Sequence, residues 1–259
     1  MPITQARIHV GTSGWHYRAW AGPFYPPGLR AKDMLGFYAT RFSAAEINAS
    51  FYRLPSEAAV EGWRDRTPED FVFTWKASRY LTHLKRLREP AGSLGLMFGR
   101  MAPLAGKTGC VLYQLPPQFH ADLDRLAAFL GLLPREHRHA IEFRHPSWYA
   151  AEIFTLLAAY DVALCIADHA AAPSPWVATA GHVYVRGHGP SGRYWGSYSD
   201  ADLARWAERI LAWHTEGRTV FAFFDNDVKA AAPEDAARLL ALLGREGQHR
   251  QHLVNLNGG

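Results

Sequence analysis

From His139 to His169 the chain reads HAIEFRHPSWYAAEIFTLLAAYDVALCIADH. An apolar run, HAIEFR from His139, is rich in residues that suit a pleated surface. A proline and a serine then open a helical stripe, WYAAEIFTLLAAY, and a second apolar run, VALCIADH, begins at Val162. Two strands joined through a helix run parallel, because parallel neighbours need a crossover long enough to bring the chain back. The first strand also ends in a chemical question. Glu142 and Arg144 lie two residues apart at its tip, and a period of two places them on one face.

The same unit recurs along the whole sequence. Strands are expected at RIHVGTS from Arg7, AEINASFY from Ala45, FVFTWKAS from Phe71, GCVLYQLP from Gly109, HAIEFR, VALCIADH, HVYVRGHG from His182 and TVFAFFDND from Thr219. Between them lie amphipathic stripes in SEAAVEGWRDR, ADLDRLAAFLGLL, WYAAEIFTLLAAY and PEDAARLLALLG. A further one runs through Leu203, Trp206, Ala207, Ile210 and Leu211 behind a cap-like Ser199-x-x-Asp202. Residues 169–181, with two prolines, read as a loop in place of a helix. Residues 79–107 form the longest connection, partly helical and placed to lie over a site. Eight strands alternating with helices predict an α/β fold, a single (β/α)8 TIM-type barrel over residues 1–259 with the helix between the sixth and seventh strands replaced by a loop. The alternative, an open doubly wound sheet, calls for a glycine-rich phosphate turn after the first strand, and GTSGW is not GxGxxG.

Bulk properties agree. The 259 residues are 48% hydrophobic and 20% charged, an ordinary globular composition, and the net charge of +4 carries no dense basic run. Cys110 and Cys165 sit within apolar runs and read as buried free thiols. MPITQARIHVGTSGW has no charged-then-apolar leader, and no window approaches a membrane span. The expectation is a soluble, cytoplasmic protein without a membrane partner. Neither an oligomeric state nor a particular cofactor is signalled.

Chemistry gathers at the strand ends. Tyr184, Arg186 and His188 share a face of the seventh strand; Glu46, Asn48, Ser50 and Tyr52 share one on the second, and Thr74, Lys76 and Ser78 on the third. In a barrel these C-terminal ends form the mouth where active sites are built. Lys76, Glu142, Arg144, Arg186, Asn48, Asp168 and His188 are therefore expected to converge on one rim.

Several longer motifs stand out: GTSGWHYRAWAGPFYP (Gly11 to Pro26), EINASFYRLPS (Glu46 to Ser56), FTWKAS, YQLPPQF (Tyr113 to Phe119), IEFRHPSW, YVRGHG with Tyr198 following, and FAFFDND (Phe221 to Asp227). In these the chain resembles the YecE-like family, domain of unknown function 72, whose members are TIM-type barrels without a settled activity. The resemblance covers nearly the whole chain. Where the family pattern reads Phe-Asn-Asn, this chain has Phe224-Asp225-Asn226, and where it reads Asn-Ala this chain has Asp235-Ala236. If the first asparagine of Phe-Asn-Asn touches ligand in the family, Asp225 adds a negative charge there that would alter the substrate or admit a cation.

Three cationic strand-end residues, Lys76, Arg144 and Arg186, point to an anionic small-molecule ligand, since guanidinium groups grip carboxylate or phosphate in a bidentate manner. The glycine-rich HGPSGRYWGSYSD, leading into a helix, is a second place for a phosphate. Trp15, Tyr52 and Trp148 supply stacking surfaces, and Gln114, His145, Tyr198 and Asn226 complete the ligand-binding candidates. Glu142 leads as general acid–base group, with its pKa lowered between Arg144 and Lys76, followed by His188 and Asp168. Glu142, Asp168, His188 and Asp225 are the donors a divalent metal would use, but no HExxH or tightly spaced cluster calls for one, and no metal ligand is assigned. The expectation is an enzyme with acid–base or hydrolytic chemistry. The alternative is a nucleic-acid-binding or nuclease-like barrel, with or without a divalent metal.

Overall fold

A computed structural model describes the backbone of residues 6–257 and the side chains of residues 6–244. Residues 1–5, the start of MPITQARIHVGTSGW, lie outside it. Each apolar run forms a strand: β1 Ile8–Thr12, β2 Ala44–Ile47, β3 Val72–Lys76, β4 Thr108–Gln114, β5 His139–Glu142, β6 Val162–Ala167, β7 His182–Gly187 and β8 Thr219–Phe224. All pair in parallel in the order β1-β8-β7-β6-β5-β4-β3-β2. The ends of the series meet where Ser13 bridges Glu46 and Gly14 N donates to Glu46 O at 2.8 Å, which closes the cylinder. Gly11 makes that seam feasible, because a Cβ there would stand 2.1 Å from Ala44 O.

The strands end sooner than their apolar runs. Asn48 leads into a helical turn, α2 Ala49–Tyr52, so Ser50 and Tyr52 leave the face that Glu46 occupies. The first connection, which shows no helical stripe, holds a short helix, α1 Met34–Ala39. The outer layer continues with α3 Glu57–Asp65, α4 Ala91–Met101, α5 Leu123–Leu130, α6 Ala151–Ala159, α7 Asp200–Thr215 and α8 Ala231–Asn257. Pro146–Trp148 is a separate 3-10 turn, and α6 opens only at Ala151, because Tyr149 leaves helical geometry. Residues 168–181 contain no helix, as their prolines imply.

Strand parity sorts the side chains into two cores. Outward residues such as Val10, Ile47, Trp75, Val111, Ile141 and Val185 pack beneath the helices. Inward residues Ala44, Cys110, Leu112, Ala140, Ala163, Cys165, Tyr184 and Phe221 fill the barrel. Both cysteines are buried and free. Alanines and cysteines on β4 to β6 leave room for the large rings of β7 and β8, a complementarity that a close-packed interior demands. Above this plug the inward positions become ionic.

Candidate functional site

Arg186, fully buried, is the centre of the ionic layer. Its Nε and Nη2 donate to the two oxygens of Glu46 at 3.0 and 2.7 Å, Nη1 donates to Glu142 Oε2 at 2.9 Å, and Nη2 also donates to Asp225 Oδ2 at 2.8 Å. Arg144 donates from Nε to the other Glu142 oxygen and from Nη1 to Tyr194 Oη at 2.8 Å. His188 Nε2 faces Nη2 of Arg144 at 3.0 Å and Nη1 of Arg186 at 3.2 Å. Guanidinium groups only donate, so Nε2 accepts and the ring proton sits on Nδ1, facing Asp168 Oδ1 at 3.3 Å. Asp168 also accepts from the His188 backbone and from the Tyr198 hydroxyl.

These groups answer one another's charges. Burial alone would raise the Glu142 carboxyl, but Arg144 and Arg186, helped by His188 and Lys76, hold it well below the usual carboxylate range. Glu46 is likewise depressed by Arg186 and Lys76 against the penalty of burial. A carboxylate so stabilised stays ionised and offers neither a proton nor a ready base. Within the protein Arg144 and Arg186, the expected grips for an anion, donate to Glu46, Glu142, Asp225, Tyr194 and His188. Asp225 is the third anion of this layer and meets Arg186.

Above the ionic layer opens a cavity of about 900 Å³, bordered by Trp15, Tyr17, Tyr52, Trp63, Lys76, Arg79, His83, Gln114, Tyr194, Asp225 and Asp227 among others. Lys76, the last residue of β3, is 5% exposed, donates to Asn48 Oδ1 at 3.1 Å and lies 4.6 Å from the centre of the Phe51 ring. Among the described residues it forms no ion pair. Burial, then Arg186, lowers it to about 8, against the pull of Asp225, Glu46 and Glu142. Asp227 moves the other way: burial, then Asp225, raises it to about 8, with Tyr17 partly offsetting them. Its Oδ1 is sealed without a hydrogen-bond partner among the described residues, while Trp20 Nε1 donates to its backbone carbonyl at 3.3 Å. The chain after it passes through two non-glycine residues with positive φ, Lys229 at 58° and Ala230 at 60°, and Tyr194, which also borders the cavity, has φ 68°. Such conformations persist only where surrounding structure imposes them.

Of the sequence-derived candidates, Trp15, Asn48, Tyr52, Lys76 and Gln114 border the cavity. Glu142, Arg144, Arg186 and His188 form the layer beneath it, with Asp168 at its side. Four others serve elsewhere. Trp148 is fully buried, stacked 4.6 Å from Phe143 with its Nε1 donating to Phe119 O at 2.6 Å. His145 stacks on His120 at 3.9 Å and accepts from Ser147 N. Asn226 donates to Gly196 O at 2.7 Å and Asp235 Oδ2 at 2.8 Å, and Tyr198 N also reaches Asp235, so these residues pin the loop after β7. The phosphate place before α7 is filled by the chain itself, for Ser199 and Asp202 cap that helix reciprocally. Ser78 lies past the end of β3, where its hydroxyl accepts from Leu81 N.

Sequence reading missed Asp227, Arg79, His83 and Tyr194. The signals were present: Asp227 closes the FAFFDND motif, and Arg79 and His83 open the long connection expected over a site. Among the described residues, no group of three or more His, Cys, Asp or Glu side chains is arranged to hold a metal ion. No helix there is long and apolar enough to cross a membrane.

Comparison with known proteins extends this geometry. The model of the family described as "Protein of unknown function DUF72" matches residues 9–256. The UPF0759 protein YecE of Escherichia coli K12 is 32% identical over 144 residues, 55% of this chain and 50% of that protein, so the match spans about half of that relative's length. The UPF0759 protein YunF of Bacillus subtilis 168 is 26% identical, covering 92% of this chain and 95% of its own. A crystal structure of a DUF72 family protein from Thermotoga maritima superimposes with a TM-score of 0.83 at 26% identity, over 92% of this chain and 99% of the other.

Proposed function

The chain belongs to the DUF72 family, and from that premise we propose that it is an enzyme taking a small anionic molecule into the barrel mouth and moving a proton on it. The observation that carries this reading is that Lys76 and Asp227 line one cavity, a lysine lowered and a carboxyl raised to about the same value. Two titratable groups whose surroundings bring them near neutral pH are suited to exchange protons with a substrate. Near pH 7 the Asp227 carboxyl holds its proton, so it adds little repulsion toward an anion. Lys76 and Arg79, neither in an ion pair among the described residues, supply the attraction. Trp15, Tyr52 and Trp63 offer flat apolar faces for the rest of the molecule. Glu46, Glu142 and Arg186 hold the floor of the site rigid and charged but balanced.

The test is thermal denaturation with inorganic phosphate, citrate and phenyl phosphate near pH 7. A ligand present at a hundred times its dissociation constant adds about 2.7 kcal/mol of stability. At least one of these anions should raise the melting temperature of the wild type, with the rise lost in Arg79→Ala and Lys76→Met. A rise of the same size in both variants would place the anion elsewhere and overturn the reading.

A specific observation favours a second reading. A groove of about 620 Å³ adjoins the cavity across Phe51, Tyr52 and Arg79 and is rimmed by Arg53, Lys85 and the exposed Tyr80. Aromatic faces interleaved with cations suit single-stranded nucleic acid. Oligonucleotide affinity that falls steeply with salt, and falls further in Tyr80→Ala, would support it; absent binding removes it.

A further inference from the structure

The protein buries three cationic side chains at the mouth and treats one of them differently. Arg144 and Arg186 are each held by carboxylates. Lys76 is equally withdrawn from solvent, yet among the described residues its Nζ meets only an amide oxygen, that of Asn48, and the face of Phe51, and it borders the cavity. Its backbone is fixed as well, since Ser50 Oγ donates to Lys76 O at 2.6 Å. An ammonium serving only to balance Glu46 and Glu142 would lie against them. An amine in this position borders the cavity and, once it has lost its proton, offers a lone pair to what the cavity holds.

We infer that Lys76 is a nucleophile, and that the molecule bound in the mouth is an aldehyde or ketone held as an imine on its Nζ. This rests on the reading of the mouth as an enzyme site and names the substrate class within it. The Nζ lone pair forms a bond to the carbonyl carbon while the carbonyl π pair moves to oxygen, which takes a proton. The nitrogen then gives up a proton, the hydroxyl is protonated a second time, the C–O bond breaks and water departs. The products are one protonated imine and one water from one carbonyl, one amine and one proton. Asp227, protonated near neutral pH, lines the same cavity and gives the proton to oxygen. His83 shares the Phe51 ring, 5.0 Å away and edge to face, and burial and Lys76 lower it to about 4. It is therefore a neutral imidazole whose Nδ1 is engaged by Thr82 Oγ1 at 3.0 Å, which leaves Nε2 to accept the proton that nitrogen loses.

Reductive trapping tests this in the intact protein. The wild type is incubated near pH 7.5 with pyruvate, glyoxylate or glyceraldehyde 3-phosphate, reduced with borohydride, and its peptides are mapped by mass. The four other lysines, Lys32, Lys85, Lys107 and Lys229, are all more accessible and serve as internal controls. An amine titrating near 8 is free about a hundredfold more often at this pH than an ordinary lysine, so label at Lys76 should exceed label at each control by at least about tenfold. Asp227→Asn should slow trapping while leaving its site unchanged. Label spread evenly over the lysines overturns the inference, as does none at Lys76. If label is absent while the phosphate-induced thermal shift persists, the carbonyl class alone fails; if both are absent, the reading of the mouth fails with it.

Discussion

Arg186 and Lys76 stand on strands at opposite sides of one cylinder, both withdrawn from water, and the fold does opposite things with them. The guanidinium is surrounded by Glu46, Glu142 and Asp225 and lies even further from losing its proton than an ordinary arginine, despite burial. The amine of Lys76, at the edge of the cavity, has a neutral partner and an aromatic face, and its proton is loosened. The difference teaches that burial by itself does not mark a functional charge. A buried charge with a full set of partners holds the barrel end together. A buried charge with few partners, beside a cavity, is available for chemistry.

The largest effect that would break this comparison comes from Arg186→Met. It strands three carboxylates in the barrel without their shared partner, and unfolding in urea should show a loss of about 3–5 kcal/mol. A loss under about 1 kcal/mol would mean that water reaches Glu46 and Glu142 and that the layer is not sealed. Lys76→Met should behave in the opposite way, leaving stability unchanged or raising it by about 1 kcal/mol, because an unpaired buried ammonium costs more than the thioether that replaces it. The sign follows from linkage. The folded protein releases the Lys76 proton at about 8 and the unfolded chain near 10.5, so between these values the unfolded chain binds more protons and wild-type stability rises with pH. Lys76→Met removes that rise, and a rise that persists in the variant would assign it to another group.

The smallest effect sharpens the cavity side. Tyr52 is 76% exposed at the lip, so Tyr52→Ala should change stability by no more than about 0.5 kcal/mol. It should nevertheless reduce whatever additional stabilisation phenyl phosphate gives over inorganic phosphate. An undiminished difference would remove Tyr52 from the binding surface.

Much of this site was legible before any coordinate. Period-two parity placed Glu142 with Arg144, and Tyr184 with Arg186, on the inner face, and the strands bear it out. Parity failed at Tyr52 and Ser50, where the chain turned helical after Asn48, and it said nothing useful of Trp148, whose indole lies beneath the barrel end against Phe143. Aromatic residues near a strand end look alike in sequence whether they face a cavity or pack beneath it. Asp227 was passed over for a related reason: next to Asp225 it reads as one more solvated acid, whereas burial, with Asp225 beside it, raises its carboxyl.

The order of apolar runs and helical stripes determined that this is a (β/α)8 barrel, and which strand residues point inward, because both follow from local periodicity. The tertiary structure alone decided which charges are matched. Arg186 meets Glu46 across 140 residues and Glu142 across 44, and those meetings depend on how the strands are staggered as the barrel closes. A sequence lists its acids and bases but not the distances between them, and charges act according to distance and to the water left around them.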